Sequence, residues 1–118
     1  MNQRLASVCT DASSATWILV KVNVPVMGDF AAVATEAMLL GQLRLKGRNA
    51  YLDLSAVVGM SSFAMAKLSL FKKLLSRQGF DFTVVHPGEG IAGMLRFSGL
   101  GELLSSQDRD ALPLAALA

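Results

Sequence analysis

The chain has one cysteine, one histidine, one tryptophan and one tyrosine among its 118 residues. A lone cysteine, Cys9, excludes an internal disulfide and any cysteine-based metal cluster. It reads as an inert strand residue. A lone histidine, His86, lacks the further ligands a metal site needs and reads as a loop residue. Charge is scarce too. Asp, Glu, Lys and Arg make up 17% of the residues and the net charge is +2. That is too little positive charge to argue for nucleic acid. No apolar run reaches the ~18 residues of a membrane span. The stretch Met1-Asn2-Gln3-Arg4-Leu5-Ala6-Ser7-Val8-Cys9 lacks the apolar core of a signal peptide. The expected location is the cytoplasm. Repeats, linkers and low-complexity segments are absent.

What the chain has in excess is apolar surface, at 53% hydrophobic residues. The length fits one domain that buries a modest core without staples. The apolar excess favours a partner surface or self-association. Ser7 to Thr10 reads as a short first strand and Asp11-Ala12-Ser13-Ser14 as a turn. Trp17 to Val24 reads as a strand that Pro25 ends. Asp29 is placed to cap a helix that runs to about Lys46, with Gly47 as its stop. Ala50 to Leu54 is the next strand. A second helix runs from Ser62 or Phe63 to about Gln78, stopped by Gly79. Phe80 to Val85 is a further strand, Gly90 to Phe97 a third helix, and Gly101 to Ser105 a helical turn. Strand–helix–strand alternation implies a largely parallel sheet with right-handed crossovers.

Within the second helix, Ala64, Leu68, Phe71 and Leu75 fall on one narrow stripe at about 100° per residue. That stripe is core. Phe63, Leu70 and Leu74 widen the apolar side, while Lys72, Lys73 and Arg77 form a basic face joined by Met65. The loop before the helix carries Val57, Val58 and Met60, unusually apolar for a connection. Two serines, Ser61 and Ser62, stand where the helix begins. A helix N-terminus holds unpaired N–H groups and a partial positive charge. A serine there either caps the helix, contributing about 1 kcal/mol, or offers a hydroxyl for a phosphate.

Asp53 ends a buried strand with no second carboxylate or histidine near it in sequence. It reads as an acceptor for the loop that positions Ser62. Gly88-Glu89-Gly90-Ile91-Ala92-Gly93 is a literal G-x-G-x-x-G between a strand and a helix. Glu89 puts negative charge where a pyrophosphate would sit, His86-Pro87 lengthens the turn, and no following strand completes the unit. The glycines read instead as room for a tight turn and close packing. A nucleophile pair of Ser62 and His86 lacks the elbow signature. The residues call for no cofactor and no metal.

The stretch from Ala50 to Ser62 resembles the STAS domain family of sulphate transporters and anti-sigma-factor antagonists. Leu52-Asp53-Leu54-Ser55 matches the family's strand end, Met60 matches the residue before the helix, and Ser62 falls on the family's phosphorylated serine. Downstream, Phe82-Thr83-Val84-Val85 resembles the next strand. Met94-Leu95-Arg96-Phe97-Ser98-Gly99-Leu100 resembles the closing helix. The resemblance covers about 16–104 and leaves 105–118 as a tail that Pro113 starts or interrupts as a helix. Ser61 stands where the family carries an acidic residue, and Ser62-Phe63 is similar to the stressosome scaffolds of the family.

The resemblance implies an α/β fold, a mostly parallel or mixed sheet of four or five strands with helices packed on it, in a single domain over 1–118. It implies a non-catalytic bacterial regulatory module that binds a serine kinase or anti-sigma factor. Its partner surface would comprise Val57, Val58, Met60, Ser61, Ser62, Phe63 and Met65. Ser62 is the phosphorylation candidate and Asp53 supports the loop. The alternative is a STAS subunit of a phospholipid-type ABC transport complex, bound constitutively to its ATPase without a phospho-switch. A homodimer fits either.

Overall fold

Residues 8–104, apart from the Leu45 side chain, are described by a computed structural model. The expected tail over 105–118 and the start of the first expected strand at Ser7 lie outside them. The main sheet holds β1 (Cys9–Ser13), β2 (Trp17–Val22), β4 (Asn49–Asp53) and β6 (Phe82–Val85), in the order β1-β2-β4-β6. β1 runs antiparallel to β2, and the remaining neighbours are parallel. A separate two-stranded parallel ribbon pairs β3 (Val26–Met27) with β5 (Gly59–Met60). The helices are α1 (Asp29–Leu45), α2 (Ser62–Arg77) and α3 (Glu89–Phe97), followed by a 3-10 turn over Gly101–Leu103. This is the α/β architecture with a mixed sheet that the sequence implied.

Both crossovers, β2-α1-β4 and β4-α2-β6, step along the sheet in the same direction. The right-handed rule then puts α1 and α2 on one face. They meet there, with Lys67 Nζ 2.8 Å from Glu36 Oε2. The sheet presents Ile18, Val20 and Val22 of β2, Ala50 and Leu52 of β4, and Phe82 and Val84 of β6 to the helices, all fully buried. Their spacing of two is the pleat of a strand with one packed face. From above, α2 buries Ala64, Leu68, Phe71 and Leu75, the stripe read from the helical period. The Phe71 and Phe82 rings meet edge to face, 5.6 Å apart between centroids.

Three local expectations are corrected. Asp11, Ala12 and Ser13 lie in β1 and not in a turn. Polar residues favour turns, but here Asp11 pairs with Val20, Ala12 with Leu19 and Ser13 with Ile18 on an exposed edge, where polar side chains are tolerated. The turn follows, closed by the Ser14 N–H on the Trp17 carbonyl at 2.9 Å. The cap of α1 is Gly28, and Asp29 is its first helical residue. Gly47 does not stop α1 in a left-handed turn, because Lys46 ends the helix in extended backbone.

Gly47 answers to packing instead. The Phe80 ring lies against it, and a Cβ at this position would collide with that ring. Gly47→Ala is expected to cost about 1–3 kcal/mol through overpacking. Chemical denaturation will show a lowered midpoint, and Phe80→Leu in the same chain should recover most of it. Gly47→Ala at wild-type stability would remove this explanation.

The buried thiol of Cys9 opens β1. Burial raises its pKa above the ordinary value and the Asp11 charge adds to this, while a hydrogen bond with Thr35 opposes them. A protonated, enclosed thiol is a poor nucleophile, which agrees with the inert reading.

Candidate functional site

The ribbon of β3 and β5 builds the site. β3 leads into α1 and β5 leads into α2, so pairing Val26 with Gly59 and Met27 with Met60 sets the two helix starts side by side. The Pro25 carbonyl accepts the Val58 and Gly59 N–H groups at 2.7 and 3.1 Å, and the Met27 carbonyl accepts the Ser61 N–H at 3.0 Å. Strands this short carry no periodicity, so the connection read as an apolar loop.

The ribbon also explains why that connection is apolar. Val57 is 2% exposed and Met60 9%, because both anchor the ribbon into the core. Val58 is 75% exposed and Phe63 41%. Val26 and Phe30 are exposed at the same end of the molecule, on β3 and the first turn of α1. Sequence reading missed these two because their closeness to Ser62 depends on the ribbon. Met65 is half-buried, and the Ser98 hydroxyl donates to its sulfur at 3.6 Å.

The two serines divide their work. Ser61 is the cap of α2: its Oγ accepts the Ala64 N–H at 3.1 Å. The same hydroxyl donates to Asp29 Oδ1 at 3.2 Å, tying the start of α2 to the start of α1. Asp29 therefore enters the site from 32 residues away. Ser62 is the first helical residue, is exposed, and its hydroxyl bonds to no described residue. Ser61→Ala is expected to cost about 1 kcal/mol, and Ser62→Ala to stay within about 0.5 kcal/mol of wild type. Parallel urea titrations check both, and equal losses would dissolve the division.

Asp53 accepts the Ser55 N–H on its carboxylate at 2.8 Å, fixing the turn that leaves β4. Lys67, one turn into α2, lies over the Phe63 ring at 5.5 Å as well as bonding Glu36. This holds the exposed ring against its own helix.

The glycine-rich segment serves no phosphate geometry. Gly88 caps α3, and Glu89 occupies its first turn. A Cβ at Gly88, Gly90 or Gly93 would meet nothing within 4 Å, so the close packing expected of these glycines is absent. The strand order never reverses, so the sheet offers no switch-point crevice for a nucleotide. The chain after α3 does return to the sheet, in a single parallel bridge between Val84 and Leu104. His86 sits beyond β6 with φ +52°, exposed, and no hydrogen bond joins it to Ser62. Among the described residues no cluster of His, Cys, Asp and Glu could hold a metal, and no helix is long and apolar enough to cross a membrane.

No family model matches the sequence, and no curated protein matches it significantly. Solved structures do match its fold. The anti-sigma factor antagonist SpoIIAA, in its unphosphorylated form, superposes with a TM-score of 0.75 at 11% identity, covering 93% of this chain and 97% of that one. A candidate anti-sigma factor antagonist from Thermotoga maritima gives 0.73 at 17% identity, covering 86% of this chain and 87% of its own. The murine Solute Carrier 26 family member A9 anion transporter gives 0.64 at 14% identity, over 77% of this chain but 15% of the transporter. The fold is the STAS fold that the sequence resemblance implied.

Proposed function

We propose that this domain is a regulatory protein-interaction module of the anti-sigma-factor-antagonist kind. It docks a serine kinase or anti-sigma factor on the surface formed by the starts of α1 and α2, and phosphorylation of Ser62 releases the partner. In this reading it is not an enzyme and needs no cofactor. The observation that carries the reading is the exposed hydroxyl of Ser62, which bonds to no described residue, beside a cap that Ser61 already provides.

A phosphate on Ser62 adds about 1.5–2 negative charges. At the first turn of α2 the helix dipole and unpaired N–H groups favour it. The domain therefore keeps its fold when modified. The cost falls on the complex. Val58 and Phe63 flank Ser62 in sequence and are exposed apolar residues, and a partner that covers them must strip water from the new charge. The Asp29 carboxylate, held by Ser61, adds like charge at the same end. Val26 and Phe30 extend the apolar footprint across the ribbon.

The likeness of fold to two antagonists supports this reading. The likeness to a transporter's domain supports the rival, a constitutive subunit of a transport complex such as an ABC system, where Ser62 is only a contact. Affinity capture from native lysate with wild type, Ser62→Ala and Ser62→Asp separates them. The expected result is a kinase or anti-sigma factor held by wild type and Ser62→Ala and lost with Ser62→Asp. Equal capture of transporter subunits by all three would overturn the switch. Val58→Asp should abolish capture in either case.

A further inference from the structure

The most unusual element is α1, which is apolar on both sides. Its inner face buries Ala31, Ala32, Ala34, Thr35 and Leu39 against the sheet. Its outer face should then be polar, as in a helix that packs on one side only. It is not. A groove of about 280 Å³ runs along that outer face, lined by Val33, Glu36, Ala37, Leu40, Gly41 and Arg44. Val33 is 47% exposed. The spacing Val33, Ala37, Leu40, Arg44 alternates steps of four and three, the seam of a helix that pairs with another helix. Ala37 and Gly41 carry almost no side chain, so a second backbone can approach closely.

We infer that this face pairs with the same face of a second copy of the chain, with the two α1 helices antiparallel about a two-fold axis at Leu40. The charges select this occupant. Glu36 and Arg44 are the only charged residues of the groove. They are opposite in sign and stand eight residues apart, about 12 Å along the helix. Two-fold symmetry about Leu40, midway between them, brings Arg44 of each copy toward Glu36 of the other, and does so twice. Glu36 is already positioned by Lys67 at 2.8 Å and retains a second carboxylate oxygen. Arg44 has no ion-pair partner among the described residues. Pairing supplies one, and covers Leu40 in the same step.

This face runs from Val33 to Arg44 of α1 and does not include Ser62, so the inference stands or falls without the phospho-switch. A dimer built this way leaves the starts of both α2 helices open. It makes the module bivalent, with two docking surfaces held in fixed relation.

Sedimentation velocity over a rising concentration series tests it, with far-UV circular dichroism confirming that each variant is folded. Wild type is expected to pass reversibly from monomer to dimer, and Ala37→Glu to remain monomeric. Arg44→Glu gives a copy with two acids in the groove, and Glu36→Arg gives one with two bases. Each alone should dimerise about tenfold more weakly than wild type, and an equimolar mixture of the two should form the mixed dimer. A wild type that stays monomeric throughout overturns the inference. So does a dimer that Ala37→Glu leaves intact, or a mixture no tighter than its parts.

Discussion

Phe71→Ala is expected to remove about 3–5 kcal/mol of stability. Domains of this size hold about 5–15 kcal/mol in total, so the variant will sit close to unfolding at ordinary temperatures. Phe71 is the large member of the buried stripe of α2 and is 1% exposed. Its ring packs edge to face on Phe82, which is itself fully buried on the central sheet. Truncation leaves a void between a helix and a sheet, two rigid layers that collapse poorly onto it. It also strips the contacts of Phe82, which has no other ring partner among the described residues. Urea titration will show the midpoint falling with the slope unchanged. Phe63→Ala, eight positions earlier on an exposed face, is the control and should lose less than about 1 kcal/mol. A loss below about 1 kcal/mol for Phe71→Ala would mean that the helix–sheet layer repacks freely.

That stripe was legible in the sequence because α2 is long enough for a period of 3.6 to repeat four times. The parallel order of β2, β4 and β6 was legible for a similar reason, since strands separated by helices leave few arrangements. Elements without a period were not legible. β1 is polar and exposed along most of its length, and only its partner strand makes it a strand. The two-residue strands of the ribbon carry no pattern, so Val57 and Met60 passed for surface residues. The site was half legible: Ser61, Ser62 and Phe63 by position, Asp29, Val26 and Phe30 only through tertiary pairing.

Arg48 belongs to the illegible part, and its replacement is the second large effect. Its guanidinium is buried and meets no carboxylate among the described residues. It bonds three carbonyls: Gln42 through Nη2 at 2.7 Å, Ser14 through Nη1 at 3.2 Å and Lys46 through Nε at 3.1 Å. Two of these acceptors belong to the last turn of α1 and its cap, where the Gln42 carbonyl also accepts the Lys46 N–H at 3.4 Å and the dipole favours a cation. The third belongs to the turn between β1 and β2. One side chain therefore fastens the end of a helix to a hairpin. Arg48→Met keeps the stem and removes all three bonds, and should cost about 2–4 kcal/mol, each lost bond counting for part of its carbonyl's desolvation. Arg48→Lys should recover little, because one ammonium cannot span three acceptors in a planar fork. Hydrogen exchange should rise first in the last turn of α1 and at Ser14. Wild-type stability in Arg48→Met would assign the fastening to other contacts.

The ribbon of β3 and β5 has one more consequence, for the integrity of the surface it builds. Its strands are four residues in all, too few to hold together alone. They lie on either side of α1 and β4 in sequence, so their pairing needs that crossover closed. Val26, Phe30, Val58 and Phe63 therefore share one end only while that pairing holds. Fraying of the ribbon would disperse them again while the central sheet stays intact. A partner docking there, as proposed, would depend on the paired ribbon as much as on the side chains it displays.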